Sequence, residues 1–352
     1  MCAEASTGRR RQRGLSIVEI MVGMVVALMV SLAASGGAAV FTASQRQGIG
    51  AGGMAVNAAT ALAAIKNDAA SAGLGFFGDS KFLCYNLDLS VDAAVKLDAA
   101  SFAPLRITNG GSSDQLEVLS ASNVDSGANV LLKGSSSGSS AMLTSLLPVS
   151  TGQAVLLAPA TAGGTCMVRT VTAVAAATDD APQTLTFGST GTYNAAAFSA
   201  AVAYADRDRV ALLGGLHWSR YSVSAGNLVL DRPLTGTSAV LVRNVMAFRA
   251  QYGIAASASD TTLTGWQDAT TSGTWASVSG ADVERVRAVR IGLVTRSPQR
   301  EKEDKDGTCK ASATMPADPL DTSKTVTPDV TDWKCYRYRT AVVVVPLRNL
   351  AW

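Results

Sequence analysis

The chain has 352 residues, enough to bury a sizeable core in one or two domains. Aromatic residues make up 6% and charged residues 16%; with Ala, Gly, Val, Ser and Thr dominant, this argues for a β-rich domain and against a helical bundle or a disordered tail. The net charge of +3 sits in residues 1–14, where Arg9, Arg10, Arg11 and Arg13 face only Glu4; the rest carries 26 basic and 26 acidic residues, which argues against a dedicated nucleic-acid-binding body and leaves room only for a local basic groove.

Chain order begins with "RRRQRGLSIVEIMVGMVVALMV" (9–30). From Leu15 to Ala43, twenty-nine residues, the one charge is Glu19, and as a helix the stretch is about 43 Å long, more than a bilayer requires. The preceding arginines predict a cytoplasmic N-terminus and an outward-facing body. Three readings compete. A cleaved signal peptide would use the small residues Ala33 to Gly37, but Glu19 interrupts its apolar region. A plain membrane anchor gives Glu19 no purpose, although an intramembrane acid calls for a named partner. Cleavage after Gly14 supplies one. Leu15 becomes an N-terminal ammonium, Glu19 becomes the fifth residue, and staggered helices can pair the Glu19 of one subunit with the Leu15 amine of the next.

"RGLSIVEIMVGMVVALMV" resembles the class III signal of type IV prepilins: a short basic leader, Gly, a hydrophobic residue, then Glu at the fifth mature position. Leu15 stands where Phe or Met is commoner. The resemblance implies that Gly14 is recognised by a prepilin peptidase, which also methylates the Leu15 amine.

Ala58, Leu62, Ile65 and Ala69 make one apolar stripe, with Lys66, Asn67 and Asp68 off it and Gly73 and Gly75 as terminators. One helix is therefore expected over 15–73, with 15–43 as membrane span or filament core. Gly36, Gly37, Gly48, Gly50, Gly52 and Gly53 each weaken it by about 1 kcal/mol relative to Ala. They suit either close packing of small residues or a helix that bends on assembly.

Residues 74–352 form the expected head. Candidate strands are Gln115–Ser120, Asn129–Lys133, Ala154–Ala158, Cys166–Val174, Thr184–Phe187, Ala201–Ala205, Val210–Leu213, His217–Val223, Leu228–Asp231, Ala239–Arg243, Ala247–Tyr252, Val283–Thr295 and Tyr336–Arg348. Their spacing suits antiparallel sheets. "GSSSGSS" (134–140) reads as a flexible loop and residues 296–335 as a long polar loop. Of the five cysteines, Cys2 lies in the leader. The other four suggest two disulfides, with three possible connectivities. Cys309 with Cys335 is favoured because they bracket the polar loop, and Cys84 with Cys166 follows by elimination. The single His and the lack of CxxC spacing speak against zinc.

"LHWSRYSVSAGNLVLDRPL" (216–234), "LVRNVMAFRAQYG" (241–253), "WQDA" (266–269), "VERVRAVRIGLVTRS" (283–297) and "YRYRTAVVVVPLRN" (336–349) resemble, in that order, the head of PilW-type minor pilins. "AAIKNDAASAG" (63–73) fits that family's helix end, while Lys81–Asp208 resembles nothing nameable. The resemblance implies an α+β, type IV pilin-like fold, with a long N-terminal helix packed on an antiparallel β-rich head. It also implies a low-copy subunit near a pilus tip that primes assembly, on the cell surface after passage through the inner membrane. Its partners would be other minor and major pilins, a prepilin peptidase, an inner-membrane assembly platform and a tip adhesin. A minor pseudopilin of type II secretion shares these signals. Outside the class stands a secreted β-rich binding protein or hydrolase.

No enzyme and no cofactor are expected. "GSSSG" (134–138) matches the nucleophile elbow formally, but no helix signal follows and His217 is the sole candidate base. "DKDGT" (304–308) lacks EF-hand spacing, because Lys302 takes the first ligand position and no Glu stands at the twelfth. Arg285, Arg287 and Arg290 mark either a DNA- or partner-facing strip or the solvent side of an edge strand.

Overall fold

The computed structural model describes residues 16–78, 81–92, 94–122, 128–136, 138–178, 181–194, 198–199 and 202–350. The leader, Cys2, Gly14 and Leu15 lie outside them. One helix, α1, spans Ile17–Ala70 without a break, so the glycines expected to weaken it are all helical. By contacts the chain divides into two compact units, residues 1–52 and 53–352.

In the second unit the expected stripe is the buried one: Ala58 is buried, Leu62, Ile65 and Ala69 enter the main core, and Ile65 is 0% exposed. Gly73 (φ 77°) and Gly75 (φ 85°) then take the left-handed conformation that stops a helix cheaply only at glycine.

The strands in chain order are β1 (Phe77–Gly78), β2 (Lys81–Phe82), β3 (Cys84–Val91), β4 (Ala94–Ser101), β5 (Leu105–Thr108), β6 (Gln115–Ala121), β7 (Asn129–Leu131), β8 (Ser140–Met142), β9 (Ala154–Ala158) and β10 (Gly164–Thr170). They continue with β11 (Ala173–Ala175), β12 (Thr184–Thr186), β13 (Arg209–Gly214), β14 (Leu216–Ser224), β15 (Asn227–Arg232), β16 (Thr237–Arg243), β17 (Val245–Ile254), β18 (Gly265–Asp268), β19 (Val286–Arg296) and β20 (Tyr338–Pro346). Most expected strands appear within a residue or two. The differences are physical. Cys166–Val174 is two strands, because β10 ends at Thr170 and β11 joins another sheet. The start of Val283–Thr295 is a 3-10 turn, Gly280–Arg285. In Ala201–Ala205, residue 201 is outside the described set and Tyr204 makes a single bridge to Ser136. The expected strands did not include β1 to β5, β8 or β18.

Among the described residues, beyond the β1–β2 pair, four sheets form: β4-β3-β10-β9-β13-β7, β11-β12-β8, β16-β15-β14-β6-β5 and β18-β17-β19-β20. In the first, alternate residues feed two different cores. Ala154, Leu156 and Ala158 of β9 face the main core, while Val155 and Leu157 face a second core with Leu132, Leu143 and Leu185. A strand buried on both faces reads as a continuous apolar run, as "AVLLA" does. This two-core lobe is built largely from an insertion: Ala121 of β6 pairs with Leu216 of β14, and Ser122 N–H donates to Gly215 C=O at 3.0 Å, so the intervening chain leaves and returns between adjacent strands.

Disulfides join Cys84 to Cys166 and Cys309 to Cys335. The first ties β3 to its parallel neighbour β10 inside the main core. The second closes part of the segment between β19 and β20. That segment is packed down: a Cβ on Gly292 would meet Pro319 at 2.6 Å, and the buried Asp318 accepts from Arg249 Nε at 2.9 Å.

Candidate functional site: an apolar helix with one carboxylate

Helix α1 is preceded by Ser16, whose Oγ accepts from Val18 N–H at 3.3 Å while its carbonyl accepts from the Glu19 and Ile20 amides at 3.0 and 3.1 Å. Glu19 thus stands in the first turn, where exposed N–H groups favour a negative charge. From Ile17 to Ala38 the helix is long and apolar enough to cross a membrane. Its large side chains lie bare on every face, Ile17 and Leu32 at 77% exposure. A helix apolar all round belongs in a bilayer or among other helices rather than in water. Among the described residues, nothing beyond the helix's own adjacent backbone comes within 4 Å of a Cβ built on Gly23, Gly36, Gly37, Gly48, Gly50 or Gly52. The two residues expected to complete the Glu19 pair, Gly14 as cleavage site and Leu15 as amine, fall outside the described residues.

At the other end of α1, Tyr221 OH donates to Asp68 Oδ2 at 2.6 Å, clamping the helix to β14. Burial, reinforced by Asp68, pushes the Tyr221 phenol far above its ordinary range. In the lobe, Asp88 is 1% exposed and accepts from Ala99 N–H at 2.6 Å, while its Oδ2 has no hydrogen-bond partner among the described residues. Burial raises its pKa.

The other sequence candidates resolve into structural jobs. In the "GSSSG" loop, Ser136 and Tyr204 exchange backbone hydrogen bonds at 2.9 and 2.8 Å, and Ser136 Oγ donates to Ser140 C=O. Strand β8, not a helix, follows it, and His217 is exposed on β14 in a different sheet. Three acids of the loop near Asp304 have a cation: Asp304 pairs with Lys310 at 2.7 Å, Glu303 with Arg300 and Glu301 with Arg337. Glu303, Cys309 and Cys335 cluster within 4.8 Å, but disulfide sulfurs are not thiolate ligands.

Both expectations for the arginines need correction. Strand β19 lies between β17 and β20 and has no free edge. Arg287 is 7% exposed, and its guanidinium donates to the carbonyls of Asp260 (2.8 Å), Ala258 (2.6 Å) and Glu284. Arg285 belongs to the 3-10 turn and pairs with Asp282 at 3.0 Å; Arg290 lies over Trp266, 4.8 Å from the ring centre, and bonds Gln251. Alternation could not foresee this, because a loop at residues 255–264 supplies the acceptors that draw Arg287 inward.

The N-terminus matches the prokaryotic N-terminal methylation motif over residues 9–35, and the head matches the type IV pilus-assembly protein W over residues 227–349. No curated protein matches the chain. Among solved structures it is similar to a type IV-like pilin from Thermus thermophilus, at 11% identity and a TM-score of 0.34, covering 85% of this chain and 98% of that one. The N-terminal methylation motif with its apolar helix, and the β-rich head, are similar to those of type IV pilins. The similarity to the type IV pilus-assembly protein W lies in the segment running from β15 through β20.

Proposed function

We propose that the chain is a minor pilin of a type IV pilus. A prepilin peptidase cuts after Gly14 and methylates the Leu15 amine, and Glu19 pairs with the Leu15 ammonium of a neighbouring subunit. The observation that carries this is the lone carboxylate in the first turn of a helix that is otherwise apolar and bare from Ile17 to Ala38. An unpaired charge at the centre of a bilayer costs at least about 2.5–3.5 kcal/mol, so pairing between staggered helices favours assembly in one register. The open space over the glycines leaves room for neighbouring helices to approach closely.

Before assembly the arginines hold the N-terminus in the cytoplasm and the head faces the periplasm. The head, with its inserted lobe, is large for a subunit repeated along a filament, which supports a low-copy place near the tip and a role in priming assembly. The work is structural rather than enzymatic. Its partners are other minor and major pilins, the inner-membrane assembly platform and a tip adhesin. A Glu19→Ala strain should lose surface pili while the protein stays in the inner membrane; unchanged piliation refutes the proposal. Loss of secreted enzymes with pili intact would assign the chain to type II secretion instead.

A further inference from the structure

Strand β14 turns Trp218 and Arg220, two residues apart, to the same face of its sheet. Opposite them on β6 stand Leu119 and Glu117, and opposite Glu117 on β5 stands Arg106. The exposed Lys96 of β4 and the buried Phe102 and Pro104 complete the walls of a pocket of about 260 Å³. Two of the three cations have different circumstances from the third. Arg220 is already answered: its Nε donates to Glu117 Oε1 at 2.7 Å, and its guanidinium lies 5.9 Å from the centre of the Trp218 ring, holding that ring in place. The side chains of Arg106, half-buried, and Lys96 make no salt bridge and no hydrogen bond among the described residues. Unanswered charge beside an apolar wall invites an anion that can also bury apolar surface.

The size and the mixed walls narrow the class. The volume lies below the ~300 Å³ at which pockets for drug-sized ligands begin, so it takes one ring and not a nucleotide. An aromatic and proline wall suits the C–H face of a pyranose, while Ser101 and the Glu117 carboxylate offer acceptors for ring hydroxyls, which an aromatic acid would leave unused. The geometry points to a site for a carboxylated sugar ring, a hexuronate-type unit. Its ring stacks on Trp218, and its carboxylate is held by the fork of Arg106 with Lys96 at the rim. The site lies wholly within the head and stands or falls independently of the Glu19 pairing.

The test is calorimetric titration of the full chain in mild detergent with glucuronate, glucose and benzoate. Glucuronate should bind at least tenfold more tightly than either of the others. Arg106→Gln should lower glucuronate to the level of glucose, a loss of roughly tenfold or more for a charge-assisted contact. Lys96→Gln, a change at an exposed rim position that folding does not need, should weaken glucuronate by a smaller factor and leave glucose unchanged. No binding of glucuronate, equal binding of benzoate or glucose, or a preference that survives both substitutions overturns the proposal.

Discussion

Removing the two disulfides separately should have unequal consequences. Cys84–Cys166 spans 82 residues and Cys309–Cys335 spans 26. Loop-closure entropy then assigns about 4.5 kcal/mol to the first and about 3.5 kcal/mol to the second at 25 °C. Packing widens the gap in the same direction, because Cys84 and Cys166 are fully buried in the main core whereas Cys309 is half-buried under a polar loop. The Cys84→Ala/Cys166→Ala pair should therefore cost at least about 1 kcal/mol more than Cys309→Ala/Cys335→Ala. Urea unfolding of the full chain in mild detergent, followed by tryptophan fluorescence, compares the two. A larger loss for the Cys309/Cys335 variant refutes the reasoning, since it would place the more important constraint in the loop rather than between β3 and β10.

Ile65→Ala removes a fully buried side chain from the stripe by which α1 packs into the head; it should cost about 2–5 kcal/mol, and a loss in thermal unfolding below about 1 kcal/mol would show that the helix is not docked there. Asp88 gives a pH signature. Because burial raises its folded-state pKa, it favours the folded chain while protonated, below the ordinary carboxylate range, and that benefit is lost as pH rises through the raised folded value. The stability of Asp88→Asn relative to the parent chain should therefore increase between pH 4 and pH 7 in denaturant titrations; a difference that does not change with pH contradicts the buried-carboxyl account.

The helix was legible because its periodicity and its terminators are local. The stripe from Ala58 to Ala69 and the stops at Gly73 and Gly75 need no knowledge of what they pack against. Strands β13 to β17, β19 and β20 were legible for a similar reason, being alternating runs between turn residues. Strands β3 and β4 were not. The stretch "CYNLDLSV" carries an Asp and a Ser at buried positions, and its parallel partner, β10, lies far along the sequence. The burial of Arg287 depends on carbonyls from another loop, and the pocket around Trp218 depends on Arg106 and Lys96 from two further strands. The assembly signal behaves differently. Glu19 announces itself in one dimension, because a charge in an apolar run is anomalous wherever the chain folds.

The most direct test of the minor-pilin proposal is the N-terminal mass of the protein recovered from sheared pili or from membranes. A chain that begins at an N-methylated Leu15, having lost residues 1–14, is the expected result. A chain that begins near Gly36 would mean an ordinary signal peptide, with Glu19 discarded and no part of the apolar helix left to assemble.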